Sequence, residues 1–221
     1  MNLLKKIEHT YLKADAREAD LLKLCNEAKE YGFGFVAINP AWISFCKKHL
    51  ADSDVLIDAA VGFPLGQSLT EVKVYETKQC IAAGADEIDM VMNIGKLIDG
   101  DNEFVYFDIK EVVEACHQEG IPCKVILETC LLNEEQIITA CQISERAGAD
   151  FVKTSTGFST EGATIENIAL MRKSVSEKVR IKASAGIRDL QQALALIEVG
   201  ADRLGTSAGV IIAEEWKEKN E

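Results

Sequence analysis

Apolar positions along the chain change period again and again. Leu21, Leu22, Leu24, Cys25 and Ala28 recur at the three- and four-residue steps of one helix face, and residues 33–38 follow as a strand-like run. A second helical pattern covers 40–50, a short β-branched run covers 55–58, and a third helix is predicted over 70–83. Three tripeptides then punctuate the chain: Gly84-Ala85-Asp86, Gly148-Ala149-Asp150 and Gly200-Ala201-Asp202. Each closes an amphipathic stretch and opens a short apolar one, at residues 87–91, 151–154 and 203–206. Glycine just past a helix supplies the left-handed residue that ends it, so these are helix-to-strand junctions. Each interval between them holds one further strand candidate, 124–128 and 180–183, preceded by a helical run.

A strand-plus-helix unit therefore takes about 26 to 32 residues, and the 221-residue chain holds roughly seven or eight of them. Strands alternating with helices demand a parallel sheet covered on both faces. An open doubly wound sheet and a closed barrel both satisfy that. Even spacing and the lack of a G-x-G-x-x-G turn favour closure, so the predicted fold is an α/β (β/α)8 TIM barrel with outer helices, one domain over 1–221. Its first strand is placed at 8–12. No linker or low-complexity tract divides the chain, and the charged tail 214–221 reads as a solvated helix end.

Composition narrows the class of function. Net charge is −12 with scattered basic residues, which disfavours a nucleic-acid partner but leaves room for a small anion in a locally basic cleft. No window reaches the ~20 apolar residues of a membrane span, and the start reaches Glu8 and His9 without a leader-like core, so no membrane partner and a cytoplasmic location are expected. The 7 cysteines form no C-x-x-C pair. Cys25, Cys80, Cys116 and Cys141 sit among apolar residues of helical stretches and read as core. His9, His49 and His117 have no zinc-ligand spacing, and no metal is expected.

The chemistry lies in charges placed where a barrel interior wants apolar side chains. At period two, Asp89 opposes Ile88 and Met90, Lys153 opposes Val152, and Lys182 opposes Ile181. If the apolar partners face the helices, Asp89, Lys153 and Lys182 converge inside the barrel, where unpaired ions are costly. Two crowded ammonium groups plus desolvation push one lysine pKa toward neutrality. A neutral amine attacks a carbonyl to give an iminium, an electron sink for breaking an adjacent carbon–carbon bond, with Asp89 as proton shuttle. The turns at 154–157, 184–188 and 205–209 combine Gly, hydroxyls and a following helix N-terminus, a setting for phosphate. A structural salt bridge and plain turn residues are the blander alternatives.

Five segments resemble the deoxyribose-phosphate aldolase family, in order and nearly end to end: 61–66 (VGFPLG), 87–91 (EIDMV), 124–130 (KVILETC), 151–158 (FVKTSTGF) and 182–188 (KASAGIR). The resemblance implies reversible cleavage of 2-deoxy-D-ribose 5-phosphate to acetaldehyde and D-glyceraldehyde 3-phosphate, with no cofactor and a homodimeric or homotetrameric assembly. It implies Lys153 as the Schiff-base lysine, Asp89 as the proton relay and Lys182 as the lysine that perturbs the first. Thr156 and Gly157 match sugar-phosphate contacts, and Gly186, Arg188, Gly205 and Ser207 fall in the phosphate loops. Four positions depart from the family pattern. Glu8 stands for Asp, Ala37 for Cys, Ala185 for the first Gly of a pair and Ala208 for Ser; the last two weaken the expected hold on phosphate. Two rivals remain at this stage: a barrel isomerase or epimerase using Asp89 as base, and a sugar-phosphate binder without turnover.

Overall fold

Eight short parallel strands hydrogen-bond in chain order, and the last returns to pair with the first, closing the sheet. The computed structural model describes residues 2–220; Met1 and Glu221, the two ends of the expected 1–221 domain and the latter also of the charged tail, lie outside it. The strands are β1 (Ile7–Tyr11), β2 (Phe35–Ile38), β3 (Leu56–Val61), β4 (Glu87–Val91), β5 (Cys123–Ile126), β6 (Phe151–Lys153), β7 (Arg180–Ser184) and β8 (Arg203–Thr206). Around them run α1 (Glu18–Tyr31), α2 (Ile43–Leu50), α3 (Thr70–Ala83), α4 (Ile94–Ile98), α5 (Asn102–His117), α6 (Glu134–Arg146), α7 (Ile165–Ser174), α8 (Leu190–Glu198) and α9 (Gly209–Asn220). This is the (β/α)8 barrel that the spacing implies. No helix among the described residues is long and apolar enough to cross a membrane.

The repeated Gly-Ala-Asp tripeptides turn out to be a stitching device. Gly84, Gly148 and Gly200 all have positive φ and end their helices. The aspartate that follows then bonds the base of the preceding strand in both directions. The Asp86 backbone N–H donates to the Ile57 carbonyl (2.8 Å) and its carboxylate accepts from the Ile57 N–H (2.9 Å). Asp150 does the same with Cys123, and Asp202 with Ile181. Strand-edge N–H groups at the lower rim are thereby satisfied, a need that any buried backbone imposes. Alternate strand pairs β3/β4, β5/β6 and β7/β8 are locked in register by one sequence motif.

Alternation along the strands sorts side chains into two environments. The outward set, including Val36, Ile38, Ile57, Ile88, Met90, Val125, Val152, Ile181 and Leu204, is fully buried beneath the helices. Burying each such side chain contributes about 1.5–3 kcal/mol, and Cys25, Cys80, Cys116 and Cys141 join this layer as free thiols. Several boundaries differ from the sequence reading. The first strand begins one residue earlier, and Phe33 with Gly34 precedes β2, where Phe33 stacks on Tyr31. The helix expected over 40–50 opens as a 3-10 turn, Pro40–Trp42. β3 runs on to Val61, while β5 stops at Ile126 because Glu128 takes a left-handed backbone.

Candidate active site

The inward faces of the strands carry charged side chains among apolar ones, and the charges are arranged in tiers from the lower rim upward. At the floor the Arg203 guanidinium lies 3.9 Å from the Phe35 ring centroid, and that of Arg180 lies 3.9 Å from that of Phe151. These cation–π contacts let aromatic rings and guanidinium groups close the barrel base. Arg203 also reaches Glu8 and Glu87, each at 3.4 Å. One tier up, Lys124 Nζ lies 2.6 Å from Glu87 Oε2, 3.0 Å from Asp58 Oδ1 and 3.2 Å from Asp89 Oδ1. Above it, Lys182 Nζ donates to Asp58 Oδ2 (2.7 Å), to Asp89 Oδ2 (2.6 Å) and to Glu8. At the top, Lys153 Nζ donates to Asp89 Oδ2 at 2.5 Å.

The register explains the convergence. Lys153 pairs laterally with Lys182, and Asp89 with Lys124, so each pair shares one face of the sheet. Their protonation follows from the neighbours. Burial pulls Lys153 below its ordinary pKa, opposed by Asp89 and reinforced by Lys182. Burial acts the same way on Lys182, but Asp58, Asp89 and Glu8 outweigh it and hold this ammonium above its usual range. Burial alone would raise Asp89, yet Lys124, Lys153 and Lys182 keep it well below the usual carboxylate range. Of the two, Lys153 is thus the amine that holds its proton less tightly, and it lies between a carboxylate and a cation. Both causes named from the sequence act here, desolvation the larger and the second lysine the smaller.

Lys153 lies at the bottom of a cleft of about 850 Å³ on the upper rim. Thr156, Gly157, Gly186, Arg188, Gly205 and Ser207, the residues the sequence pointed to for a sugar phosphate, all line this cleft with Lys153. Asp89 and Lys182 lie just beneath. Sequence reasoning missed Asp58, Arg203 and the full role of Lys124, as well as Lys13 and Lys23, which add cations to the cleft wall. Lys124 and Glu87 were findable, because they share the inward parity of Asp89 and Lys153. Glu8, one methylene longer than the family's Asp, still reaches Lys182. Ala37 is buried in β2. Ala185 holds a positive φ of 66°, a glycine-like conformation, and the Ala208 N–H is engaged by Thr206 Oγ1 at 2.9 Å.

Among the described residues, one group of side chains has metal-ligand spacing: Glu8, Asp58 and Asp89. The Lys182 ammonium bonds all three and fills the position a cation would take. The donor set therefore serves an amine.

Residues 4–214 match the model of the DeoC/LacD family aldolases. The chain belongs to the DeoC/LacD aldolase family. It is 52% identical over 216 residues to the deoxyribose-phosphate aldolase of Thermococcus gammatolerans, covering 97% of this chain and 96% of the relative. It is 53% identical over 212 residues to that of Bacillus cytotoxicus, covering 96% and 95%. A solved deoxyribose-phosphate aldolase from Aeropyrum pernix, described as a unique tetramer, superposes with a TM-score of 0.91 at 33% identity, covering 98% of this chain and 92% of that one. For a DeoC/LacD aldolase, a desolvated lysine between a carboxylate and a second lysine, open to a cleft, is a site able to form an imine with an aldehyde.

Proposed function

We propose that this DeoC/LacD aldolase is a class I deoxyribose-phosphate aldolase, reversibly cleaving 2-deoxy-D-ribose 5-phosphate to acetaldehyde and D-glyceraldehyde 3-phosphate. The observation that carries the reading is the Lys153–Asp89–Lys182 arrangement, in which one carboxylate oxygen lies 2.5 Å from the first amine and 2.6 Å from the second. Neutral Lys153 attacks the C1 carbonyl of the open-chain sugar, giving a carbinolamine. Loss of its hydroxyl as water leaves an iminium. The C2–C3 bond then breaks, its electron pair moving into the iminium to form an enamine while the C3 hydroxyl gives up its proton and becomes the aldehyde of glyceraldehyde 3-phosphate. Protonation of the enamine carbon and hydrolysis release acetaldehyde and restore the amine. Asp89 relays protons between Lys153 and Lys182, which supplies the standing positive charge.

The phosphate is assigned to the far wall of the cleft, where Gly186, Arg188, Gly205 and Ser207 offer backbone N–H groups, a guanidinium and a hydroxyl. Thr156 and Gly157 take the sugar. The reading also includes one domain over the whole chain, action in the cytoplasm, and a homodimeric or homotetrameric assembly, for which the tetrameric relative is the support. Borohydride reduction in the presence of acetaldehyde tests it. The expected result is a stable two-carbon adduct on Lys153 that diminishes as pH falls and the amine is protonated. Lack of an adduct, with no acetaldehyde released from the sugar phosphate, would refute the reading and return the site to an isomerase-type or binding role.

A further inference from the structure

The structure assigns to Glu128 a positioning role: it orients Thr156 in the cleft that Lys153 also lines, so that Thr156 offers the cleft an acceptor only. The assignment rests on the aldolase reading above. Glu128 lies two residues beyond β5 with φ 56° and ψ 61°, a left-handed backbone that side-chain-bearing residues adopt at a cost. The chain on either side is tied to the end of β6. The Leu127 N–H donates to the Lys153 carbonyl and the Thr129 N–H to the Thr154 carbonyl, both at 2.9 Å. The kink is therefore anchored to the strand end that carries Lys153, and it turns the Glu128 side chain into the protein, where the residue is 2% exposed.

Both carboxylate oxygens there reach Thr156, and Oε1 also accepts from the Cys130 thiol at 4.0 Å. Oε1 accepts the Thr156 N–H at 3.1 Å, and Oε2 accepts the Thr156 hydroxyl. Thr156 Oγ1 in turn accepts the Phe158 N–H at 3.0 Å, and the Phe158 ring meets Phe63 edge-on at 5.4 Å. A threonine hydroxyl has one proton and two lone pairs. Here the proton goes to Glu128 and one lone pair to Phe158, which leaves a single lone pair. A phosphoryl oxygen, itself an acceptor, gains nothing from it; a substrate hydroxyl does. Bonding to a carboxylate also makes Oγ1 a stronger acceptor. Replacing Glu128 frees the Thr156 proton and loosens the turn without touching the Lys153 amine, which has its own carboxylate in Asp89.

The test is steady-state kinetics with 2-deoxy-D-ribose 5-phosphate on Glu128→Gln, Thr156→Val and the double variant, alongside borohydride trapping with acetaldehyde. Glu128→Gln is expected to raise KM about tenfold while the trapping rate stays within about twofold, and the double variant should be no worse than the poorer single one. An unchanged KM in folded Glu128→Gln, or independent multiplying effects in the double variant, overturns the assignment. Should Glu128→Gln fail to fold, Thr156→Ser keeps the hydroxyl and is expected to hold KM within about threefold of the wild type, against the rise in Thr156→Val. Equal KM values in those two variants overturn it as well. A wild-type chain that forms no adduct takes down the aldolase reading and this assignment together, whereas adduct formation with the wrong KM pattern removes the assignment alone.

Discussion

Lys73 and Lys153 are both buried, both salt-bridged to an aspartate, and both shifted downward in pKa by burial. Lys73 lies outside the barrel between α3 and α5. Its ammonium donates to Asp108 (2.6 Å) and to the Val91 carbonyl (2.9 Å), while Thr70 donates to the other Asp108 oxygen (2.9 Å). That pair is sealed: every partner is a fixed protein group. Lys153 shares its carboxylate with Lys182 and lines a cleft. A depressed lysine pKa alone therefore does not make a nucleophile. What distinguishes Lys153 is an open cleft and a second lysine bonded to the same carboxylate oxygen.

The comparison breaks most sharply under matched substitutions. Lys153→Met is expected to reduce kcat to below about 10⁻⁴ of the wild type and abolish borohydride trapping. Lys73→Met should leave trapping intact and instead cost about 3–5 kcal/mol in denaturant unfolding, because it strands the Asp108 charge in the interior. Adding Asp108→Leu to Lys73→Met should recover much of that loss. If Lys73→Met abolishes trapping in a folded protein, the sealed pair is part of the active site and the distinction fails.

A smaller effect separates the barrel network from a simple pair by its response to pH. Burial and the Asp89 charge push the Asp58 carboxyl up to about 7, against the pull of Lys124 and Lys182. A carboxyl that binds its proton more tightly in the folded chain than in the unfolded one contributes stability that is complete below the unfolded pKa and fades as pH rises through the folded one. The stability advantage of wild type over Asp58→Asn should therefore shrink between about pH 4 and pH 7. Urea titrations across that window measure it. A difference that stays constant or grows with pH would show that Asp58 is ionised throughout.

The smallest effect belongs to the cleft rim. Ala185 occupies a left-handed conformation at φ 66°, and a Cβ built on Gly157 would lie 3.5 Å from the Ala185 methyl, which places that methyl beside the Gly157 turn. Ala185→Gly relieves strain while loosening the unfolded chain, so stability should change by less than about 1 kcal/mol. KM for the sugar phosphate should fall a few-fold as the methyl is removed. A KM that rises instead would mean that the methyl shapes the pocket rather than crowding it.

The parts legible in the sequence were those governed by local periodicity. Gly84, Gly148 and Gly200 announced helix ends, and the parity of Asp89, Lys153 and Lys182 announced one shared interior, because a strand alternates its faces regardless of what surrounds it. The helix over 70–83 was placed to the residue. Less legible were groups whose roles depend on partners distant along the chain. Asp58 looks like an ordinary strand-end carboxylate until β3 is set beside β4 and opposite Lys182, 124 positions away. Glu128 looks like the last residue of a strand, and its left-handed backbone has no signal in a Glu side chain.

What the order of residues determined by itself was the alternation of strands and helices, the inward parity of the charges and the glycine-marked turns, since each follows from interactions within a few positions. Closure of the sheet decided the rest. Only the closed barrel brings β1, β3, β4, β5, β6, β7 and β8 around one axis, so that four carboxylates form ion pairs with Lys124, Lys153, Lys182 and Arg203 in a small interior volume. Which lysine holds its proton more tightly and which less is set there, by the balance of desolvation against opposite charges at distances near 3 Å.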